Sequence, residues 1–509
     1  MFPFESTETR LSLPLEFRTA IASATGLRSD WRYNYNILRK GRSVRDAKGT
    51  FRTMPYNGSM ANILFCAISC NAIFFDKDIT NGAWEALSKF VREAKPHFIV
   101  MMGDQVYIDE DNQDIFAKFL KSPSLDLDLR KALAEKYREN WSRNLVKDVM
   151  ANVPIYMMWD DHEIRDGWGS MASDSETLLQ QYPRGKEIFI KCKTYFEDAR
   201  DVYWHFQGCH NPQKFSGQLL PNYIDSPPVQ NQRRAMPYVF RCGRLIVLML
   251  DSRGERDVFR KDLPILGSEQ WHFISEVFDN LAEDVDALAV MTPTPIATLD
   301  PEGQTQKLMG ERTDDVESFK KGDIEGLFNP HSTEDFSDLV AAAVGSHLTR
   351  LTGKPVNLGS FKVSNIDEAR DQWSHKFSRP EQAALLRAAG KARLSNRNAG
   401  SARELIFLSG DIHAGCIFDI TVSKPSYKAA SLTSSGISTV KQRVPTVGSL
   451  VDEDFDVAPG IRSTLREVVI DFNFGVVQMI PSGSGAEIVA SLAHEGNSFT
   501  VGVDISDLL

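Results

Sequence analysis

The chain has 509 residues, 42% of them hydrophobic and 25% charged, so it can bury a sizeable core and is long enough for two or three domains, or for one domain with large insertions. A formal net charge of −10 argues against nucleic acid as a main partner and permits a site that gathers cations. No stretch approaches the roughly 18 consecutive apolar residues of a membrane span, and the N-terminus lacks the apolar core of a secretory signal.

The first predicted unit is a basic N-terminal segment, residues 1–55. Its first 52 residues contain ten Lys or Arg side chains against five Asp or Glu side chains, a local excess of five positive charges. A solvated surface segment packed on the main domain explains this charge most simply. A peripheral contact with a phosphate-rich partner is the alternative.

From residue 61, short apolar runs typical of strands end repeatedly in polar clusters. These runs are NILFCAIS, HFIVMM, PIYMM, RLIVLML, ALAVM and ELIFLS. Between several of them lie segments with apolar residues spaced near 3.6 residues, such as NGAWEALSKFVREA and LPILGSEQWHFISEVFDNLA, which predict helices. Alternating strands and helices predict an α/β fold with buried sheets covered by helices. Because ligands in such folds bind beyond the carboxyl ends of the strands, the polar clusters are predicted to share one edge.

Residues 297–380 break this alternation and are predicted to form an insertion. The stretch is polar and mixed in charge, with one helix predicted around FSDLVAAAVGSHL, residues 336–348. Long irregular insertions are often lids or binding loops, and surface decoration is the alternative. After residue 415, strand-like runs such as EVVIDFNFG and AEIVASLA predict a second sheet packed against the first.

The cysteines indicate the compartment. They show no spacing typical of a disulfide framework and stand at Cys66, Cys70, Cys192, Cys209, Cys242 and Cys416. This usage fits a reducing compartment, so the cytoplasm is the predicted location.

Side chains able to bind metals follow the predicted strands. They are Cys70, Asp104, Tyr107, Asp109, Asp160, Asp161, His162, Asp411 and His413. Each alone has an ordinary explanation, such as a helix cap for an aspartate or a buried small hydrophobe for Cys70. Together they bring carboxylates and imidazoles to one predicted edge, where the carboxylates would repel one another unless cations bind there. The sequence therefore predicts a metal site.

The motifs GDQVYID, WDDHE and SGDIHAG, in this order and each after an apolar strand, resemble those of the calcineurin-like metallophosphoesterases. A preceding Ser-Cys pair, LDSRGERDVFR and TSSGIS make the chain more similar to the alkaline phosphatase D (PhoD-like) family within that superfamily. The resemblance implies an α/β fold, a four-layer αββα sandwich with mixed sheets. It implies one metallophosphatase domain over residues 56–509, with the basic N-terminal segment before it and the insertion at 297–380 inside it.

The resemblance also implies a first metal position. Asp104 matches an aspartate that bridges two metals. Cys70 and Tyr107 match a thiolate and a phenolate that help to hold a ferric ion, with a residue of GDIHAG completing the shell. Phenolate and thiolate ligands suit Fe³⁺, so iron is one predicted cofactor.

A second metal position is implied by the same motifs. Asp161 stands where the family has a ligand of the second metal, and Asp411 and His413 stand where the superfamily has the two histidines of GHxH. The superfamily has a further histidine ligand on a strand between the equivalents of WDDHE and GDIHAG. The matching run of this chain, AVMTPTPI, contains no histidine, so water or a main-chain oxygen is expected to take that ligand's place. An oxygen-rich site suits Ca²⁺, with Mn²⁺, Zn²⁺ and Mg²⁺ as alternatives.

Catalytic roles complete the resemblance. His162 matches a histidine that acts as general acid or steadies the phosphoryl group. Arg165 is a candidate for clamping a phosphate oxygen, and a structural pair with Asp166 or Glu163 is the alternative. Two weaker candidates for substrate contact are Asn71 and Arg253.

The predicted activity is hydrolysis of a phosphate monoester or diester by a metal-bridging hydroxide, because two metals can neutralise the phosphoryl group and activate water together. The predicted substrate is a small or lipid-linked phosphate ester. A nuclease-type phosphodiesterase is an alternative that the acidic balance opposes. A non-catalytic module that binds a metal or a phosphorylated ligand is the other alternative.

Overall fold

The computed structural model describes residues 5–6, 19–72, 81–109, 115–121, 128–215, 218–219, 235–303, 306–307, 314–328, 368–396, 402–438, 451–469, 471–483, 485–494 and 503–504. The strands of this part of the chain are β1 (Glu5–Ser6), β2 (Ala20–Ile21), β3 (Arg32–Arg39), β4 (Arg42–Arg52), β5 (Ile63–Ile68), β6 (Phe98–Met102), β7 (Ile155–Met158), β8 (Lys214–Phe215), β9 (Gln218–Leu219), β10 (Tyr238–Cys242), β11 (Leu245–Met249), β12 (Ala287–Met291), β13 (Glu404–Ser409), β14 (Gly415–Ser423), β15 (Ser426–Thr433), β16 (Asp454–Ala458), β17 (Ile461–Val469), β18 (Asn473–Ser482), β19 (Gly485–His494) and β20 (Val503–Asp504). The helices are α1 (Trp84–Ala94), α2 (Ile115–Lys121), α3 (Leu129–Trp141), α4 (Asn144–Asn152), α5 (Glu176–Gln181), α6 (Lys186–Phe206), α7 (Gly267–Asp279), α8 (Asp314–Lys321), α9 (Ile324–Phe328), α10 (Glu368–Asp371) and α11 (Arg379–Ala392).

Two mixed sheets form the centre of the molecule. One sheet has six strands in the order β20-β19-β18-β5-β6-β7, and the other has eight in the order β10-β11-β12-β13-β15-β14-β17-β16. Strands β5, β6 and β7 run parallel to one another, as do β11, β12, β13 and β15. Apolar side chains of both sheets share one continuous core, so the sheets are packed against each other. The predicted α/β fold with mixed sheets is confirmed.

Helices cover the outer side of the six-stranded sheet. Trp84, Leu87 and Phe90 of α1 and Val146 of α4 form a separate apolar cluster with side chains of β5 and β6. Helix α1 has the predicted 3.6-residue spacing of buried side chains, which turns one face towards the sheet. All six apolar runs predicted as strands, and both segments predicted as helices, are confirmed.

The sequence-based assignment of the C-terminal strands to one second sheet is wrong. Strands β14 to β17 extend the sheet that contains β10 to β13, whereas β18 and β19 join β5. The six earlier strands are themselves divided between the two sheets. Alternation of apolar residues predicts that a segment is a strand, but it does not predict the partner of that strand, which depends on long-range packing.

The N-terminal hairpin of β3 and β4 lies against α4. Tyr35 Oη donates to the carbonyl of Ala151 at 3.1 Å, and Thr50 Oγ1 donates to the carbonyl of Asn152 at 3.4 Å. Of the insertion, the structure describes α8, α9, α10 and short flanking stretches, and the helix predicted at 336–348 lies outside the described residues. No helix in the described part of the chain is both long enough and apolar enough to cross a membrane.

The carboxyl ends of the two sheets approach each other closely beside the predicted metal site. Ser69, directly after β5, donates to the carbonyl of Ser434 at 3.0 Å, and Ser434 Oγ donates back to the carbonyl of Ala67 at 2.7 Å. A Cβ on Gly410, directly after β13, would lie 2.2 Å from Ser69 Oγ and 2.4 Å from Ser69 Cβ. Only a glycine at position 410 therefore permits this contact between the sheets.

The substitution Gly410→Ala is expected to lower the free energy of unfolding by about 1–3 kcal/mol, because the added methyl group must push the two sheet ends apart. Urea unfolding followed by circular dichroism measures this change. Gly485→Ala is the matched control, since its Cβ would enter open space. Equal stability of Gly410→Ala and the wild-type protein would show that the two sheet ends are not tightly packed.

Candidate metal centre

Four predicted ligands have an uncommon backbone conformation. Cys70, Asp104, Asp411 and His413 have φ angles of 59°, 56°, 71° and 55°. Left-handed conformations are uncommon for residues other than glycine and cluster at functional sites. Each of the four follows a strand closely, so the sharp turn of the backbone directs these side chains to one place at the sheet ends.

One group of donors combines sulfur, nitrogen and oxygen. Donor atoms of Cys70, Asp104 and His413 all lie within 4.8 Å of one another. Tyr107 Oη lies 3.3 Å from Asp104 Oδ2 and 2.9 Å from His413 Nε2, so the phenol belongs to the same group. Burial raises the pKa of the Cys70 thiol, and a bound cation would stabilise the thiolate.

A second group of donors contains carboxylates only. Donor atoms of Asp104, Asp160, Asp161 and Asp411 lie within 4.8 Å of one another. Burial and the charges of Asp161 and Asp371 raise the pKa of Asp411 to about 7. Burial would raise the pKa of Asp161 as well, but the charges of Arg253 and His162 outweigh it and hold that pKa below its ordinary value. An oxygen-only group of this kind suits a hard cation.

Asp104 belongs to both groups of donors. Its side chain is fully buried, and its Oδ1 atom has no hydrogen-bond partner among the described residues. Burial, followed by the nearby charges of Cys70 and Asp161, raises the pKa of Asp104 well above its ordinary value. A cation would offset both the desolvation and the repulsion, so the residues present fit a metal site.

His162 is held next to the two groups. Its Nδ1 atom lies 2.9 Å from Asp109 Oδ1, and its ring lies 4.1 Å from the ring of Tyr107. Burial alone would lower the pKa of His162, but the charges of Asp109 and Asp161 outweigh it and raise the pKa well above its ordinary value. The structure thus brings His162 together with the predicted ligands.

The predicted substrate contacts are buried and paired with protein groups. Arg165 Nη2 pairs with Asp174, a partner that the sequence did not indicate, and Arg253 forms ion pairs with Asp160 and Asp371. The side-chain amide of Asn71 donates to Asn140 Oδ1 and accepts hydrogen bonds from Trp84 and Ser438. These contacts favour supporting roles for the three side chains, and their contact with substrate stays a prediction.

Glu163 is a residue whose role the sequence did not reveal. Its Oε2 atom accepts hydrogen bonds from the backbone amides of Asp104 and Asp160, both at 2.9 Å. Its Oε1 atom accepts from the amide of Gln105 at 2.8 Å and from Gln207 Nε2 at 3.0 Å. Burial raises the pKa of Glu163 to about 7. One carboxylate therefore ties the loop that carries Asp104 to the loop that carries Asp160.

Comparison with known proteins identifies the family. A family model described as PhoD-like phosphatase matches residues 65–447, which is more than half of the chain, and the chain belongs to this family. A solved structure of PhoD is similar, with a TM-score of 0.52, 13% identity, and coverage of 96% of this chain and 80% of that chain. The predicted family and the predicted calcineurin-like architecture are confirmed.

Two further solved structures show lower similarity. The purple acid phosphatase PPD1 from seeds of yellow lupin (Lupinus luteus) has a TM-score of 0.43 and 10% identity, covering 95% of this chain and 62% of that chain. GAP50, the anchor in the inner membrane complex of Plasmodium, has a TM-score of 0.35 and 11% identity, covering 87% of this chain and 89% of that chain. No curated protein matches the chain.

Glu163→Gln is expected to lower the free energy of unfolding by about 1–3 kcal/mol. The substitution replaces one carboxylate oxygen by an NH₂ group, which cannot accept the hydrogen bonds that this oxygen accepts, so buried N–H groups lose their acceptor. Urea unfolding measures the difference. Glu139→Gln changes an exposed glutamate in the same way and is expected to have no effect. If both variants unfold at the same urea concentration, the amide contacts of Glu163 contribute nothing to stability.

Proposed function

We propose that this chain, which belongs to the PhoD-like phosphatase family and is therefore a phosphoric ester hydrolase, cleaves a small or lipid-linked phosphate ester at the buried carboxylate cluster. The observation that carries the proposal is the position of Asp104. Its carboxylate is shared by a sulfur- and nitrogen-containing group of donors and an oxygen-only group. Two metals about 3.5–4 Å apart act together on one phosphoryl group, and a carboxylate shared by both groups of donors would hold them close to each other.

We assign the two groups of donors to different metals. Cys70, Asp104, Tyr107 and His413 would hold Fe³⁺, because thiolate, phenolate and imidazole suit a transition metal. The oxygen-only group, in which Asp161 and Asp411 join Asp104, would hold Ca²⁺, with Mn²⁺, Zn²⁺ and Mg²⁺ as alternatives. When bound, such a metal pair neutralises the phosphoryl group and lowers the pKa of water, which supplies the nucleophile.

The chain itself contributes a proton donor and rigid positioning. Asp109 holds the His162 ring through Nδ1 at 2.9 Å, and packing against Tyr107 fixes the plane of the ring. We infer that His162 gives a proton to the leaving alkoxide, a step that typically contributes roughly 10²- to 10⁴-fold in rate. We also propose that Arg165, which pairs with Asp174, contacts a phosphate oxygen of the substrate.

The substitution Asp104→Asn is expected to reduce hydrolysis of p-nitrophenyl phosphate and of its bis ester by at least about 1,000-fold, because it removes the carboxylate shared by both metals, whose charge stabilisation is worth several kcal/mol. Asp279→Asn, an exposed change of the same chemistry, is the matched control and should retain activity. Elemental analysis of both variants and of the wild-type protein accompanies the assay.

Three outcomes of these measurements would contradict the proposal. An active Asp104→Asn enzyme would exclude the shared-ligand mechanism. Zinc as the sole metal in the wild-type protein would contradict the assignment of Cys70 and Tyr107 to iron. Cleavage of nucleic acid with a steep salt dependence, and no cleavage of small esters, would favour a nuclease.

A peripheral contact is proposed for the N-terminal hairpin. Arg39 and Arg42 face each other beside the turn at Lys40, a like-charge arrangement that destabilises a hairpin unless an anion lies nearby. Leu38 and Val44 are 38% and 37% exposed, so apolar side chains are exposed close to the cationic pair. This composition suits a surface of anionic phospholipid. We keep the cytoplasm as the proposed location because all six cysteines are buried free thiols.

The double substitution Arg39→Glu with Arg42→Glu is expected to weaken binding to vesicles that contain phosphatidylserine by at least about 30-fold, since each basic side chain near such a surface contributes about 1 kcal/mol. Co-sedimentation with these vesicles and with pure phosphatidylcholine vesicles measures the effect. Lys391→Glu with Lys428→Glu changes the same charge on exposed positions elsewhere and should bind normally. Equal binding of the two double variants would overturn this contact.

A further inference from the structure

The end of the insertion reaches the candidate metal centre. Asp371, the last residue of α10, is 3% exposed, and the next residue, Gln372, is 2% exposed. Trp373 anchors them, since it is fully buried and its Nε1 atom donates to Thr292 Oγ1 at 3.2 Å, directly after β12. The end of the predicted insertion therefore contributes buried polar side chains beside the carboxylate cluster.

We infer that Asp371 and Gln372 are positioning residues for the oxygen-only group of donors. Asp371 acts through Arg253 on Asp161, and Gln372 acts directly on Asp411. This inference rests on the proposed function, because it takes the oxygen-only group to be the site of a divalent cation.

The contact between Asp371 and Arg253 is a two-pronged ion pair. Arg253 Nη1 donates to Asp371 Oδ1 at 2.7 Å, and Nη2 donates to Oδ2 at 2.8 Å. The guanidinium is fully buried, and its Nε atom donates to Asp160 Oδ1. Because the guanidinium is planar, contacts on two sides fix both its position and its orientation.

The Arg253 guanidinium lies near Asp161, a predicted metal ligand, but does not form a hydrogen bond with it. Arg253 Nη2 lies 3.6 Å from Asp161 Oδ1, beyond ordinary hydrogen-bonding distance. Without the charge of Asp371, the buried guanidinium would be drawn to Asp161, the nearest remaining carboxylate besides Asp160. It would then compete with a cation for an oxygen of Asp161. Asp371 thus keeps Arg253 close enough to Asp161 to offset part of its negative charge. The guanidinium stays too far from Asp161 to take the place of a cation.

Gln372 has the complementary role on the other side of the cluster. Its Nε2 atom donates to Asp411 Oδ2 at 3.1 Å, which fixes the plane of that carboxylate without adding charge. Among the described residues, Gln372 is the hydrogen-bond partner of the Asp411 carboxylate, so its loss leaves the carboxylate less restrained. Partners of this kind typically change metal affinity by about 10- to 100-fold.

The test compares divalent-cation binding by metal-stripped, refolded variants, measured by calorimetric titration with CaCl₂ alone and with MnCl₂ alone. Asp371→Asn and Gln372→Ala are each expected to weaken binding about 10- to 100-fold. Asp371→Glu keeps the charge and should restore part of the affinity. Asp315→Asn is the matched control, because it removes the buried ion pair between Asp315 and Arg370 and keeps the ion pair between Asp371 and Arg253. It should lower the melting temperature and leave the affinity unchanged.

The outcomes separate this inference from the proposed function. Wild-type protein that binds neither Ca²⁺ nor Mn²⁺ would overturn this inference, whereas the proposed function fails separately if Asp104→Asn keeps its hydrolytic activity. Wild-type binding with unchanged affinity in Asp371→Asn and Gln372→Ala would overturn the positioning role alone. The iron content of both variants, purified without metal stripping, should equal that of the wild-type protein. Loss of iron would contradict a role that is confined to the oxygen-only group of donors. If Asp371→Asn does not fold, Asp371→Glu decides for Asp371, because it keeps the charge and changes the ion-pair geometry, and Gln372→Ala decides for Gln372.

Discussion

The structure depends on the repulsion between carboxylates that are crowded at the junction of two sheets. Five of them lie close to one another or to the same guanidinium groups, namely Asp104, Asp160, Asp161, Asp371 and Asp411. The basic groups beside them include Arg253, Arg256 and His162. Burial of unpaired negative charge is among the most costly arrangements in a protein. Arg253 and Arg256 offset part of this charge, and a cation bound at the cluster would offset the rest.

The backbone around the cluster is strained and is held in place by polar contacts. Four of the predicted ligands have left-handed φ angles, each of which costs of order 1–3 kcal/mol for a residue other than glycine. Glu163 offsets part of this cost, because its carboxylate accepts hydrogen bonds from backbone amides of two loops at once. The narrow approach of Gly410 to Ser69 brings the two sheet ends together. These contacts help to hold the loops that carry the predicted ligands in place.

The sequence predicts the strands, the family and the cluster well, because short apolar runs followed by acidic motifs leave a local signal. It does not predict the partners of β18, because strand pairing depends on distant packing. Glu163 had no signal either, since its role exists only where amides from two loops converge on one carboxylate. Asp371 lies in a polar stretch without periodicity, 118 residues from Arg253, and nothing local indicates that the two side chains meet.

The two groups of donors are supported by different parts of the chain. Cys70 follows β5, which pairs with β18 near the C-terminus. Cys70 Sγ lies 3.0 Å from Ser435 Oγ, and the backbone carbonyl of Ser435 accepts a hydrogen bond from the side chain of Asn473. The oxygen-only group is instead supported by the loop after β11 and by the end of the insertion. Asp104 alone belongs to both. Disruption of β18 should therefore disturb the sulfur-containing group first. Disruption of the end of the predicted insertion should disturb the oxygen-only group first, so the two groups of donors can be disturbed separately although both contain Asp104.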